Sequence, residues 1–149
     1  MLTYIAASFA YADRNKTQGR KLEIEKITDE VKKYLKSDFY LPHKLTIPNA
    51  WDISLEEWAN KVFEHDIDAL SKADLVIFIS YGKENNAGAV WEVGYAFAKN
   101  IPIVMIKVTD ESESLMVTSS SRAIITQEEI SSYDFNALPR YITAINKIS

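Results

Sequence analysis

The run Leu75-Val-Ile-Phe-Ile79, set between Asp74 and Ser80, is apolar at every position. A strand with one wet face alternates apolar and polar residues, so a strand apolar on both faces must be covered on both. That is the pattern of a central strand in a parallel sheet, and parallel neighbours need crossover connections long enough to hold a helix. The flanking chain has those connections. Leu2–Ala7 is a short apolar run ending at Ser8 and predicts a first strand. Thr17 to Lys36 carries Leu22, Ile27, Val31 and Leu35 among charges, the spacing of an amphipathic helix. Phe39–Leu41 predicts a second strand, closed by Pro42. Residues 42–53 hold two prolines and no period, and predict a loop whose Trp51 is a candidate wall over a site. Ser54-Leu-Glu-Glu57 reads as a capping box that starts a helix running to Lys72.

After Ser80 comes a loop, Tyr81–Asn86, and then a helix from Ala87 to Ala98, stopped by Asn100-Ile-Pro102. Ile103–Val108 and Ala123–Ile125 predict two more strands, and Leu138–Ile148 a closing helix. Strands alternating with helices imply an α/β chain: a flavodoxin-like, Rossmann-like three-layer fold with a five-stranded parallel sheet, as one domain over residues 1–149. Sites in such folds lie beyond the carboxyl ends of the strands, where strand order reverses. In the flavodoxin-like order that point lies between the first and third strands, which end near Ser8 and Ser80.

Composition narrows the function. Hydrophobic residues are 47% and charged residues 26%, ordinary for a globular domain. A net charge of −4 with no basic stripe argues against a nucleic-acid polymer as partner, yet leaves room for a small phosphorylated ligand. With no cysteine there are no disulfides, thiolate nucleophiles or thiolate metal sites. Two histidines, His43 and His65, are too few for a histidine-rich metal site. The start lacks the basic and long apolar regions of a signal peptide, and no apolar run spans a bilayer. The expectation is a soluble, cytoplasmic protein without a membrane partner.

Glu92 is the one charged residue between Ala87 and Ala98. A helix apolar all round is expected to be buried, and a lone carboxylate there is costly unless something compensates it or it has a task. The positive end of the helix dipole favours its ionised form, as a nucleophile requires. The competing reading is a structural Glu paired with a basic or hydroxyl group. Asp66 falls near the centre of the apolar face formed by Leu55, Trp58, Ala59, Val62, Phe63, Ile67 and Leu70, while Asp68 falls on the wet side. Asp66 either caps a neighbouring loop or works with Glu92. An anionic nucleophile beside a proton donor is the division of labour used on glycosidic bonds. Tyr4 either bonds a carboxylate across the switch point or packs. Asn86 either caps the helix or meets a ligand. Gly88 leaves room for close approach. Ser114-Leu-Met-Val117 reads as a surface loop or a subunit contact.

These pieces, in this order, resemble the nucleoside 2-deoxyribosyltransferase family, which includes the related nucleoside 5′-monophosphate N-glycosidases. The resemblance rests on Tyr4-Ile-Ala-Ala-Ser-Phe9, on Trp58, Phe63 and Asp66-Ile67, and on Asn86-Ala-Gly88-Ala-Val-Trp-Glu92-Val-Gly94-Tyr-Ala96. Ser114-Leu-Met116 and Asp134-Phe-Asn136 complete it. It implies that Glu92 attacks C1′ of the sugar to form a glycosyl ester, that Asp66 binds the base and assists its protonation, and that Tyr4 orients Glu92. It further implies substrate contacts from Ser8, Phe9, Asn86, Gly88, Ser114 and Met116. It requires no metal or organic cofactor, and it implies a homo-oligomer whose subunits complete each other's sites, with Ser114 near a neighbour's pocket. The partners implied are a nucleoside or nucleotide and a nucleobase.

Two departures bear on the substrate. Transferases of the family carry Asp where Asn86 stands and Asn where Ser114 stands, a clamp on the sugar 5′-hydroxyl. The glycosidases have hydroxyl residues at both places. A neutral amide at residue 86 does not repel a phosphate as a carboxylate would, and Ser8 matches a serine of the glycosidases. Ala10, however, replaces their Arg, leaving Arg14 or Arg122 as substitutes. Deoxyribosyl transfer is the first expectation. Hydrolysis of a nucleoside 5′-monophosphate is the second, and a non-catalytic nucleotide-binding module the third.

Overall fold

The computed structural model describes residues 1–137 of the 149-residue chain. The helix expected over Leu138–Ile148 lies outside the described residues. In chain order the elements are β1 (Leu2–Ala6), α1 (Arg14–Lys32), β2 (Asp38–Tyr40), α2 (Leu55–Ser71), β3 (Leu75–Ser80), α3 (Ala87–Ala98), β4 (Ile103–Lys107), α4 (Leu115–Ser120) and β5 (Ala123–Thr126). Short 3₁₀ turns cover Pro42–Lys44, Ala50–Asp52 and Gln127–Ser132. The sheet has five strands in the order β2-β1-β3-β4-β5, all pairs parallel. Strand order therefore reverses between β1 and β3, as expected.

The pleat sorts each strand's residues into two cores. Ile5, Ala7, Ile77, Ile79, Val104 and Ile106 pack against Ile24, Ile27 and Val31 of α1 and against Ile130 and Phe135. Tyr4, Ala6, Val76, Phe78 and Met105 face the other way, onto Leu70 of α2, Ala89, Val93 and Ala96 of α3, and Val117 of α4. Six consecutive buried residues in β3 follow directly from its two covered faces. Tyr4 is thus the polar-tipped residue of β1 on the α2/α3 side, while Ile5 serves the α1 side.

Several boundaries and exposures differ from expectation. Helix α1 starts at Arg14 because the Asp13 carboxylate accepts from the backbone N–H of Asn15 and Lys16. It buries Ile24, and Leu22 is exposed. At α2 the Ser54 hydroxyl accepts from the Glu57 N–H at 3.1 Å, the cap half of the expected box. The buried residues of α2 are Ala69 and Leu70; Leu55, Trp58 and Phe63 are exposed. Trp51 is 84% exposed. Helix α3 is not a buried helix. Ala89, Val93 and Ala96 face the sheet, and Trp91 (51% exposed) and Phe97 face outward. An all-apolar helix marks burial only if every face meets protein, and here Trp91 and Phe97 stay partly exposed among the described residues.

Candidate active site

Parallel topology brings the carboxyl ends of β1 and β3 beside the start of α3, and α2 closes one side. Two adjoining cavities form there. One, of about 380 Å³, is lined by Tyr4, Phe63, Asp66, Ile67, Leu70, Gly88, Trp91 and Glu92. The other, of about 280 Å³, is lined by residues that include Ser8, Phe9, Pro42, Asp66, Asn85, Gly88 and Glu92. Asp66, Gly88 and Glu92 belong to both, so the two carboxylates stand at the junction.

Each carboxylate is held by a tyrosine from the sheet. The Tyr4 hydroxyl donates to Glu92 Oε2. The Tyr40 hydroxyl donates to Asp66 Oδ1 at 2.8 Å. Tyr4 and Tyr40 are register partners on β1 and β2, and their rings stack with centroids 5.3 Å apart. Burial pushes the Glu92 carboxyl up to about 8; the Tyr4 bond opposes the rise and the neighbouring Asp66 charge adds to it. The expectation that the helix dipole keeps Glu92 ionised is corrected by this. Glu92 is the sixth residue of α3, beyond the first turn where the dipole is felt, and desolvation prevails. Asp66 is also raised, chiefly by burial, with the Tyr40 hydrogen bond opposing. Both phenols are pushed upward by burial and by the carboxylates beside them, so both stay protonated donors. Asp68, by contrast, pairs with Lys72 at 2.8 Å in solvent, on the wet side of α2 as expected.

Asn86 is placed differently. Its side chain caps nothing on α3 and lines neither cavity. Its amide nitrogen donates to Gly82 O at 3.1 Å and to both oxygens of Glu113, at 3.1 and 3.0 Å. All three partners are acceptors, which fixes the NH₂ end of the amide toward them. Glu113 is 6% exposed, also accepts from the Ser80 hydroxyl at 2.7 Å, and makes no ion pair among the described residues. Residue 86 is itself a neutral amide, but a buried carboxylate sits against it. Gly82 permits this clamp. Its φ is +93°, and a Cβ there would meet Glu111 Cβ at 2.8 Å.

Ser114 caps α4 by accepting from the Met116 N–H. Met116 and Leu115 are each 81% exposed. With Val90, Gly94 and Phe97 of α3 they line a separate apolar cavity of about 410 Å³. Neither Ser114 nor Met116 lines the carboxylate cavities of its own chain.

Sequence reasoning missed Tyr40, Trp91 and Glu113. Tyr40 lies in the predicted second strand, but its partnership depends on register. Glu113 sits in a charged run, Asp110-Glu-Ser-Glu113, that reads as solvated. Among the described residues no Lys or Arg lines either cavity. Arg122 lies at the far end of the sheet, its N–H on Ile103 O at the start of β4. Arg20 stacks on Tyr81, its guanidinium carbon 3.3 Å from the ring centroid. Among the described residues no cluster of three His, Cys, Asp or Glu side chains has the arrangement of a metal site, and no helix is long and apolar enough to cross a membrane.

Comparison with known proteins gives this geometry a context. Residues 3–127 match the family model described as nucleoside 2-deoxyribosyltransferase. The chain belongs to that family. A nucleoside deoxyribosyltransferase of Lactobacillus johnsonii is 27% identical over 89 residues, a match spanning 58% of this chain and 59% of the relative. The solved 2-deoxyribosyltransferase of Bacillus psychrosaccharolyticus has the same fold. It superposes with a TM-score of 0.76 at 23% identity, covering 96% of this chain and 98% of its own. A CMP N-glycosidase of Clostridium botulinum superposes with a TM-score of 0.56 at 16% identity, over 89% of this chain and 96% of its own. Family membership and the α/β fold thus agree with the reading of Glu-x-Gly-Tyr-Ala in α3.

Proposed function

We propose that this chain transfers a 2′-deoxyribosyl group between nucleobases through an ester on Glu92. The observation that carries the reading is the pair of partly buried carboxylates, Glu92 and Asp66, at the junction of two cavities, with Glu92 held by Tyr4. In the productive state Glu92 is ionised and Asp66 carries the proton. The Glu92 carboxylate attacks C1′ as the C1′–N bond breaks. The bond's electron pair stays on the base nitrogen, which takes the proton from Asp66. A second base then attacks C1′ from the face the first one left, the ester bond breaks to restore the Glu92 carboxylate, and Asp66 recovers a proton from the incoming N–H. Two displacements retain the anomeric configuration.

The second reading, hydrolysis of a nucleoside 5′-monophosphate, differs only in water replacing the second base and in a phosphate on the sugar. The cavity charges disfavour it. Among the described residues Asp66 and Glu92 are the charged lining groups and no Lys or Arg lines the cavities, while Glu113 lies behind the loop that leads into α3. A non-catalytic module is disfavoured too. It would leave Glu92 exposed or ion-paired and Tyr4 remote, whereas Tyr4 bonds Glu92 and Glu92 makes no ion pair among the described residues.

We further propose a homo-oligomer in which α3 and α4 form the contact and Ser114 and Met116 approach a neighbour's site. The support is the set of exposed apolar side chains Phe97, Leu115 and Met116 around one apolar cavity. The deciding assay is chromatographic. One reaction holds a deoxynucleoside and a different free base, the other the matching 5′-monophosphate alone. A new nucleoside in the first supports the transferase; free base released only in the second replaces it with the hydrolase. Intact-mass analysis of protein quenched during turnover should show a pentosyl adduct that Glu92→Gln lacks.

A further inference from the structure

Asp66 has two carboxylate oxygens, and the fold treats them differently. Oδ1 accepts the Tyr40 hydroxyl at 2.8 Å, while the carboxyl group as a whole opens into both cavities. Tyr40 does not stand alone. It is the register partner of Tyr4, the two rings stack 5.3 Å apart at an interplanar angle of 18°, and Tyr4 in turn holds Glu92. A parallel pair of strands therefore sets two phenols side by side on one face of the sheet, each assigned to one carboxylate. We propose that Tyr40 is the positioning residue for Asp66: by occupying Oδ1 and docking on Tyr4 it leaves Oδ2 as the oxygen that carries the proton to and from the base. This rests on the reading of Asp66 as the proton donor.

The chemistry follows from what each group can donate. A protonated carboxyl has one O–H, and a Tyr hydroxyl already committed to Oδ1 makes Oδ2 the favoured seat of that proton. The stack with Tyr4, together with packing against the core on the α2/α3 side, fixes the Tyr40 ring at the end of the three-residue edge strand β2. The groups that bear on Asp66 are Tyr40 from β2, Glu92 from α3 and His65 on its own helix. Tyr4 from β1 lies behind them, and Tyr40 also feels Asp68. Donation from Tyr40 stabilises the ionised carboxylate, so its loss raises the Asp66 proton affinity.

The test is the pH dependence of kcat/KM for base exchange in wild type, Tyr40→Phe, Asp66→Asn and the double variant, with denaturant unfolding of each. Tyr40→Phe keeps the ring and its stack. The acid limb should move upward by on the order of one pH unit in Tyr40→Phe. In the Asp66→Asn background, Tyr40→Phe should change neither the profile nor the rate further. An acid limb that stays in place in Tyr40→Phe, or a pH-independent loss of equal size in both backgrounds, overturns the proposal and leaves Tyr40 as packing. Full turnover in Asp66→Asn is a separate result. It removes the proton-donor reading of the site, and the proposal with it.

Discussion

Replacing Tyr4 by Phe removes one oxygen and tests how the site keeps Glu92 usable. Burial holds the Glu92 carboxyl at about 8, and the Tyr4 hydrogen bond is the influence that opposes the rise. Asp66 shares the cavity, so the two carboxyls titrate as a pair. Between its two titrations the pair holds one proton. The productive form, with the proton on Asp66 and Glu92 ionised, is the minor one, because Glu92 binds the proton more tightly. A hydrogen bond to a charged group contributes about 1.5–3 kcal/mol, which corresponds to about one to two pH units. In Tyr4→Phe the Glu92 affinity for the proton should rise by that amount. The productive form should fall roughly 10- to 100-fold at neutral pH, and the alkaline limb of kcat/KM, near pH 8 in wild type, should move upward by the same one to two units. The assay is base exchange between pH 5 and pH 10, with denaturant unfolding as a control on the fold. An alkaline limb left at its wild-type position, with or without a lower rate, refutes the reasoning and reduces Tyr4 to packing.

Three further outcomes are expected. Stability should depend on Glu92. Between its ordinary value of 4.5 and about 8, the folded chain keeps a proton that the unfolded chain releases, so this group's contribution falls as pH rises through that window. Glu92→Gln should flatten that part of the profile, gaining stability over wild type at pH 9 relative to pH 5 in urea unfolding; a parallel profile would contradict it. Glu113→Gln exchanges an acceptor for a donor facing the Asn86 amide. It should cost about 1–3 kcal/mol of unfolding free energy and raise the rate on a 5′-monophosphate relative to the free nucleoside. An unchanged substrate ratio would show that Glu113 does not govern selectivity. Met116→Asp puts a charge into the apolar α3/α4 cavity and should lower the sedimenting mass together with exchange activity. An unchanged sedimenting mass would place subunit contacts elsewhere.

Much of the fold was legible from local pattern. The doubly apolar Leu75–Ile79 run demanded layers on both sides, and alternation of strands with helices led to the parallel order and to a site beyond β1 and β3. The 100° spacing of α2 pointed Asp66 inward and Asp68 outward, because one helix's period is a local property. Local pattern failed wherever the answer depended on what lies opposite. Helix α3 is apolar all round, yet Trp91 and Phe97 remain partly exposed among the described residues, which hydrophobicity alone does not reveal. Trp51 looked like a wall and stands in solvent. Tyr40 became the holder of Asp66 only because β1 and β2 pair in the register that sets it beside Tyr4. Glu113 returned a carboxylate to the neighbourhood of Asn86 only because the loops after β3 and β4 meet at Gly82. Periodicity is written into neighbouring residues, and so it decided which elements form and which faces they bury. Register, loop contact and desolvation arise between residues 26 to 88 positions apart, and so the pairing and proton affinities of the carboxylates were settled by the folded chain.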